Sequence, residues 1–401
     1  MKIAVIGVKG LPAKQGGIEH YCQALYPKIV EQGHSVDLYA RSSYINESWF
    51  SVYKCQGVRV ICLPSLAFRG LDALTNSGLA AIVAAFKGYD VIHFHALGPS
   101  LFSVIPRLLS SAKVIATCQG LDWQRGKWGK SSSRVIRLGE KMAAQYAHNV
   151  IVVSKALQDY FKLTYDLDTE YIPNAPGIYA KSDPEFNFVK SQGLEPGKYL
   201  LFLGRLVPEK RPDLLVQAFQ KLQQSNWKLV LVGGCSDTTE YIAQLQGLAG
   251  DDSRVIFAGE LRGTRLAEMV RGAGIFVLPS DLEGLPLAML EAMREEVPVV
   301  ASDIPPHQQL IGSDRGSLFK AGDLASCTSV LEKAMSQPQK LASLAQKAHR
   351  YVRQNYTWDK ITADNLAVYD QESNIDPRRI TDSVKRNPDS VATKVTQKVT
   401  R

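Results

Sequence analysis

Two glutamates and two cations have the spacing best suited to chemistry. Glu283 and Glu291 lie in the stretch Pro279-Ser280-Asp281-Leu282-Glu283-Gly284-Leu285-Pro286-Leu287-Ala288-Met289-Leu290-Glu291. The preceding apolar run, residues 274–278, reads as a buried parallel strand that Pro279 and Ser280 end. Residues 285–295 read as a helix with Pro286 in its first turn, where a missing N–H costs nothing. Glu283 then sits in the loop and Glu291 about two turns in, with roughly 12 Å of axial rise between the carboxylates. The free N–H groups at the start of that helix, around Gly284, Leu285, Pro286 and Leu287, make a site for phosphate. A ligand with phosphate in its middle and hydroxyls at both ends suits this layout, and a nucleoside diphosphate sugar has that shape. The plainer alternative makes Glu283 a helix cap and Glu291 a solvated carboxylate.

The cations are Arg205 and Lys210, in Tyr199-Leu200-Leu201-Phe202-Leu203-Gly204-Arg205-Leu206-Val207-Pro208-Glu209-Lys210. A strand ends at Gly204, and a helix starts near Pro212. Two cations on the loop between them clamp a diphosphate, arginine as a bidentate fork and lysine as a point charge. The alternative is ordinary loop charge.

These residues need a scaffold of alternating strands and helices, and the chain supplies it. Residues 3–7 form a first strand, 18–32 a helix and 35–40 a second strand, the opening of a doubly wound sheet. Gly7 and Gly10 do not have the G-x-G-x-x-G spacing, which argues against nicotinamide binding. Gly16 and Gly17 instead suit a loop that approaches a phosphate or sugar closely. Further strands are expected at 58–63, 90–95, 113–120 and 149–154, and further helices at 77–87 and 131–148. His93 and His95 fall at the end of the second of these strands, where ligands of α/β sheets sit. The alternatives there are satisfied strand-end histidines, or a metal pair, for which no third ligand is evident. Strand-helix repeats resume after residue 197, and helices at 324–335 and 339–356 follow.

The 401 residues suggest two domains. Residues 1–190 hold 21 Lys+Arg and 14 Asp+Glu, a balance of 21 − 14 = +7; residues 191–370 give 19 − 21 = −2, and 371–401 give 7 − 4 = +3. An anionic surface is one partner for such a first half, and plain solubility charge is the other explanation. Arg134, Arg137 and Lys141 share one helix face beside Arg125, Lys127, Lys130, Trp123 and Trp128, which suits either a membrane surface or a solvated helix. No nucleic-acid motif accompanies them. The six cysteines have no C-x2-C pairing and read as small buried side chains of a reducing compartment. Met1-Lys2 leads straight into a strand, so no signal peptide is expected, and no apolar run of about 18 residues spans a membrane. The expectation is a cytoplasmic chain, peripheral at the inner face of the plasma membrane.

The Glu-x7-Glu spacing with Gly284, the Gly204-Arg205…Glu209-Lys210 loop and the Gly16-Gly17 loop followed by Glu19-His20-Tyr21 together resemble the retaining family 4 glycosyltransferases. The resemblance covers residues 1–370 and implies the GT-B fold, two doubly wound Rossmann-like α/β domains facing a cleft. It implies an acceptor-side domain at 1–170, a linker at 171–196, a nucleotide-sugar domain at 197–355, a helix crossing back at 356–370, and a disordered polar tail at 371–401. Glu283 would hold hexose hydroxyls and Glu291 the ribose. Arg205, Lys210 and helix N–H groups would neutralise the leaving diphosphate without metal or other cofactor. Gly259, Glu260 and Leu261 resemble the segment that reads the base. Glu19, His20, His95, Gln119, Asp122, Trp123 and Arg125 would line the acceptor side. Many relatives carry histidine where Gln119 stands, so a histidine's catalytic role is either missing or moved to His95. The opening loop and residues 120–125 look most like bacterial enzymes of surface-polysaccharide assembly, with a lipid-linked acceptor at an anionic membrane. Two other classes stay open: a nucleotide-sugar epimerase or phosphorylase on a similar fold, and a non-catalytic sugar-binding protein. Asp166-Leu167-Asp168 matches a metal motif of the other glycosyltransferase fold, but lies in a polar turn and is discounted.

Overall fold

The computed structural model describes residues 1–13, 16–45, 47–66, 71–124, 129–222, 226–234 and 239–371. The chain divides into two units, Met1–Asn174 with the stretch from Trp358 onward, and Ala175–Thr357. The expected tail falls almost wholly outside the described residues.

The first unit holds eight strands: β1 Lys2–Ile6, β2 Ser35–Arg41, β3 Val52–Cys55, β4 Val58–Leu63, β5 Val91–His95, β6 Lys113–Cys118, β7 Asn149–Val152 and β8 Glu170–Tyr171. Their order is β3-β4-β2-β1-β5-β6-β7-β8. All neighbours are parallel except β3, which lies antiparallel to β4. That hairpin turns on Gln56 and Gly57, both at positive φ (49° and 84°). Such a turn needs left-handed backbone at both central residues. Sequence patterning misses β3, whose residues are half-exposed. β1, β5 and β6 are buried on nearly every residue, as the apolar runs require of strands covered on both faces.

The second unit holds β9 Tyr199–Leu203, β10 Lys228–Val232, β11 Val255–Gly259, β12 Ile275–Leu278, β13 Val299–Ser302 and β14 Ser317–Phe319. All are parallel, in the order β11-β10-β9-β12-β13-β14. Phe202, Phe219, Phe276 and Met289 are fully buried between sheet and helices. Each sheet therefore reverses its winding once, between β1 and β5 in the first unit and between β9 and β12 in the second. Such switch points open crevices at the carboxyl ends of the strands.

The structure corrects the expected linker. Residues 175–196 pack into the second unit: a short helix, Asn187–Ser191, buries Val189, and Val189 N–H donates to Glu268 Oε1 at 2.9 Å. The helix Trp358–Asp370 belongs to the first unit. There Lys28 pairs with Asp359 at 2.8 Å, and Lys113 Nζ donates to the carbonyls of Val368 and Gln371 at 2.5 and 2.6 Å. A cation on the last carbonyls of a helix also meets its negative end. Cys22, Cys62, Cys118 and Cys327 are buried thiols, and Cys55 is half-buried. No helix among the described residues is long and apolar enough to cross a membrane.

Candidate active site

The second unit brings Glu283 and Lys210 together at its switch point. Lys210 follows β9 in a short turn, Pro208–Lys210, and Glu283 follows β12. β9 and β12 are neighbours in register Ile275↔Leu200 and Phe276↔Leu201, so their loops leave the sheet side by side. Asp281 N–H donates to Glu209 O at 2.9 Å, and Arg211 Nη1 to Asp281 Oδ2 at 3.0 Å, which ties the two loops. Lys210 Nζ then donates to Glu283 Oε1 at 2.6 Å, and Ser280 Oγ donates to the same oxygen at 2.9 Å. The two side chains are 17% and 11% exposed, shielded but not sealed. Burial alone pushes the Glu283 carboxyl up, but Lys210, with help from His307 and Ser280, outweighs it and holds the group below the usual carboxylate range. Glu283 is therefore ionised at neutral pH.

The pair keeps bonding capacity. An ammonium has three N–H donors, and a carboxylate two oxygens. Among the described residues Lys210 gives one N–H to Glu283, and no hydrogen bond reaches Glu283 Oε2. The arrangement can hold a hydroxyl on Glu283 and an anionic oxygen on Lys210 at once.

Two residues that sequence reasoning missed support this point. Ser302 Oγ donates to the carbonyl of Ser280 at 2.5 Å, fixing the turn before Glu283. His307 is fully buried, and its Nδ1–H donates to the Ser302 carbonyl at 2.9 Å. Burial lowers its pKa to about 4, against the opposing pull of Glu283. A neutral imidazole that donates at Nδ1 carries its lone pair at Nε2. The only hint in the sequence was a serine three positions before Glu283.

Glu291 is placed differently from expectation. The helix runs Leu287–Arg294, two residues shorter at its start, because Pro286 adopts a non-helical ψ of 87°. Glu291 is thus little more than one turn in. Its carboxylate accepts from Tyr179 Oη at 2.8 Å and from Gly177 N–H at 3.3 Å, partners in the stretch read as linker. Burial raises its pKa, Tyr179 and Gly177 oppose that, and Glu295 adds to it. Gly284, Leu285 and Leu287 are half-buried around this helix start, and Pro286 is buried.

Arg205 does not join Lys210: its guanidinium is 46% exposed and pairs loosely with Glu209 at 3.9 Å. Gly204, Gly233 and Gly259 stack at the ends of β9, β10 and β11, and a Cβ on Gly233 would lie 1.9 Å from the Gly204 carbonyl oxygen. Exposed Glu260 pairs with Arg262 at 3.3 Å, and Leu261 is half-buried.

In the first unit the predicted residues divide. Gly16, Gly17 and His20 are exposed. Glu19 is buried and accepts from Lys9 N–H at 3.2 Å, and a Cβ on Gly16 (φ 99°) would lie 2.1 Å from its Oε2. Glu19 thus braces the loop behind Gly16 instead of facing an acceptor. His95 is also corrected. It is fully buried, its Nε2 bonds Tyr26 Oη at 2.6 Å, its ring stacks on His93 at 4.2 Å, and burial lowers its pKa to about 3. His93 in turn bonds Tyr369 Oη at 2.8 Å and Thr117 Oγ1 at 2.6 Å. His95 is thus a neutral histidine buried in the core among tyrosines, its Nδ1 unpartnered among the described residues. Trp123 is likewise buried: its Nε1–H donates to fully buried Glu140 at 2.8 Å, and Arg137 lies over its ring at 4.1 Å. Neither Trp123 nor Arg137 is therefore part of a free interfacial face. Asp122 is half-buried at the start of a short turn, Gln119 bonds Asn174, and Arg125 lies outside the described residues, as do Lys127 and Trp128.

The comparisons follow this division. The model for glycosyl transferases group 1 matches residues 184–351, and the model for glycosyltransferase family 4 matches residues 15–175. One match falls in each unit, and the chain is a glycosyltransferase of the GT-B fold. It is 25% identical over 437 residues to a D-inositol 3-phosphate glycosyltransferase of Gordonia bronchialis, covering 100% of this chain and 93% of that one. In structure it is similar to sucrose-phosphate synthase of Thermosynechococcus elongatus, with a TM-score of 0.79 at 23% identity over 92% of this chain and 98% of the other. It is also similar to HepE of Anabaena in complex with UDP and glucose, with a TM-score of 0.74 at 19% identity over 92% and 99%.

Proposed function

We propose that this glycosyltransferase moves a hexose or deoxyhexose from a nucleotide sugar to an acceptor hydroxyl with retention, in bacterial exopolysaccharide, O-antigen or capsule assembly. The observation that carries the reading is the Glu283–Lys210 pair at the switch point, 2.6 Å apart and with bonding capacity to spare. Glu283 takes a sugar hydroxyl on its unbonded oxygen. Lys210 turns its remaining N–H groups to the diphosphate and stabilises the charge that develops as the glycosyl–phosphate bond breaks. Arg205 swings from Glu209 to the same phosphates. Glu291 holds the ribose on the carboxylate face that Tyr179 and Gly177 leave. Retention and the polysaccharide role follow from the resemblance to family 4. UDP-sugars head the list of donors, since the HepE structure holds UDP.

The acceptor in this reading is lipid-linked at an anionic membrane, and the first unit docks there. Exposed Ile82, Phe86, Leu108, Leu109 and Leu138 stand on or beside the helices Leu71–Ala85, Val104–Leu109 and Lys130–Tyr146, with exposed Lys87 and Arg134 among them. The acidic side chains of these helices are withdrawn: Asp72 pairs with Arg41 at 3.1 Å, and Glu140 is buried. Apolar and basic groups together suit such a surface.

The test is a panel of nucleotide sugars, screened first by thermal shift and then by product analysis with polyol and lipid-linked acceptors. A raised midpoint marks the donor. Release of nucleoside diphosphate with an α-linked product from an α-linked donor is expected. Inversion overturns the stereochemical claim, and release of nucleoside diphosphate without glycosylation favours the epimerase or phosphorylase. Sedimentation with anionic but not neutral vesicles, weakened by salt, tests the docking.

A further inference from the structure

The backbone beside the candidate site is strained at one arginine. Phe186, Arg211 and Glu296 are the residues other than glycine with positive φ among the described residues of the second unit, and Arg211 directly follows Lys210. Its φ of 50° and ψ of 40° are left-handed. There a β-carbon crowds the following carbonyl, which is why glycine takes such positions and asparagine or aspartate sometimes do. Pro212 adds to the conflict, because proline pushes the residue before it toward extended backbone. Arg211 also opens the helix Pro212–Lys221 as its cap, yet its side chain does not bond the helix N–H groups, as a serine or aspartate would. Backbone and cap both favour another residue. Such outliers persist where the surrounding structure enforces them, and they gather at functional sites.

The side chain shows what enforces it. Nη1–H donates to Asp281 Oδ2 at 3.0 Å, and Nε–H and Nη2–H donate to Asp213 at 3.3 Å. Tyr241 Oη–H in turn donates to Asp213 Oδ1 at 2.7 Å. One guanidinium therefore bridges two carboxylates, one in the first turn of the helix Pro212–Lys221 and one two residues before Glu283. The side chains of Arg211, Asp213 and Asp281 are 28%, 25% and 43% exposed, and ion pairs so open to water add little to stability. A left-handed arginine costs about as much as they return. What the planar fork does supply is direction, since its edges fix where the two carboxylates stand.

We propose that Arg211 is a positioning residue for glycosyl transfer, holding the Glu283 loop to the Lys210 loop through Asp281. This rests on the glycosyl-transfer reading above. Lys210 and Glu283 stand on separate loops, 73 positions apart, and their 2.6 Å contact lasts only while the loops keep their spacing. One tie between the loops is main chain, Asp281 N–H to Glu209 O at 2.9 Å. The Arg211 fork is a second, and two ties fix an angle that one leaves free. A hydrogen bond weakens steeply as it departs from good alignment. A displacement of about 1 Å at a reacting centre costs on the order of a hundredfold in rate. Arg211 itself touches neither sugar nor phosphate in this reading; it acts on the Lys210–Glu283 pair. Neither the glutamate spacing nor the Gly204–Lys210 loop marks it in the sequence.

The experiment compares the wild type with Arg211→Gly, Arg211→Ala and Asp281→Ala, reading turnover, donor KM and melting point in each. Glycine relaxes the left-handed backbone, so Arg211→Gly folds and should melt about 2–4 °C above Arg211→Ala. Turnover should nonetheless fall about ten- to a hundredfold in both, with donor KM within about threefold of wild type. Asp281→Ala should lower turnover as far, and the Arg211→Gly/Asp281→Ala double variant no further, because the two side chains act as one device. Turnover at the wild-type level in Arg211→Gly means that the arginine is only structural, and overturns the proposal. So does wild-type turnover in Asp281→Ala. If the wild type turns over no nucleotide sugar at all, the glycosyl-transfer reading has failed, and crystal structures decide the positioning alone. Loss of the Lys210–Glu283 contact in Arg211→Gly supports it, and the contact kept at 2.6 Å overturns it.

Discussion

The two switch points of this molecule start alike and end differently. In the first unit β5 carries His93 and His95 toward its carboxyl end; in the second, β9 and β12 lead to Lys210 and Glu283. Both sets are polar, both stand beside the central strands, and both attract notice in the sequence. The histidines are sealed from solvent: His93 is bonded by Tyr26, Thr117 and Tyr369, the last delivered by the helix Trp358–Asp370, and His95 is bonded by Tyr26 at Nε2, with its Nδ1 buried and unpartnered among the described residues. The ion pair bonds itself and Ser280, stays slightly open to solvent, and keeps unbonded N–H groups and an oxygen. A polar residue at a strand end is a candidate for chemistry only while it keeps both unused bonding capacity and access to solvent, and the buried histidines lack the second.

Breaking the ion pair should have the largest effect. Lys210→Met removes the charge facing the leaving diphosphate, and turnover should fall about a hundred- to a thousandfold in a nucleoside diphosphate release assay. It also strands a mostly buried carboxylate, at a cost of up to about 3 kcal/mol in urea unfolding. Adding Glu283→Gln should recover much of the stability and none of the activity. A His95→Gln variant should do the reverse, with turnover within about threefold of wild type and a lowered melting point. A collapse of turnover in a folded His95→Gln protein would return that histidine to the chemistry.

Acid sharpens the contrast further. The folded state holds His93 and His95 neutral, with the His95 pKa near 3 and that of His93 also far below its ordinary value. Between pH 6.5 and about 3 the unfolded chain binds more protons at these positions than the folded one. The stability they contribute is fully present above pH 6.5 and is lost as pH falls. The slope approaches about 1.4 kcal/mol per pH unit for each histidine. His307 acts in the same direction down to about 4. Melting curves from pH 7 to 5 should show this decline, and His95→Gln should flatten it. A curve as steep in the variant would mean that the acid-sensitive groups lie elsewhere.

The two glutamates should separate by about a tenfold effect. Glu291→Gln should weaken both donor and free nucleoside diphosphate about tenfold in calorimetry, near 1.4 kcal/mol. Glu283→Gln should lower turnover and leave the free nucleotide's affinity nearly unchanged. Equal loss of nucleotide affinity in both variants would sink the division of roles.

Much of this was legible in the sequence, for a physical reason in each case. The apolar runs of β1, β5, β6, β9 and β12 are strands because both faces are covered, and such strands read as unbroken hydrophobic stretches. The loops carrying Lys210 and Glu283 follow from those strands. Their contact across 73 positions was not legible, because the order β9-β12 is set by crossovers and not by any local pattern. Pro286 was read inside the helix but stands just before it. Trp123 was read as interfacial from its basic neighbours, whereas Glu140, the one acidic residue in the helix Lys130–Tyr146, draws its indole into the core. Tyr179, Gly177 and Asn174 lie in a polar, proline-bearing stretch that composition marks as linker. The fold uses that stretch to hold Glu291 and Gln119.

The smallest expected effect tests whether a lysine serves where a divalent cation would otherwise stand. Lys210 brings one positive charge within 2.6 Å of Glu283 and lies mostly out of solvent, where Coulomb attraction to a diphosphate is several times stronger than in water. Arg205 adds a second charge once it leaves its loose partner Glu209. With both present, the leaving group is neutralised by side chains. Excess chelator should then change turnover by less than about twofold, in wild type and in Glu291→Gln alike. The rival carboxylates, Asp166 and Asp168, share Lys162 at 3.4 and 2.9 Å in an exposed turn, which a metal would have to displace. Turnover abolished by chelator and restored by magnesium or manganese would refute the lysine's role. Loss of that rescue in an Asp166→Asn/Asp168→Asn variant would move the cation site to the first unit.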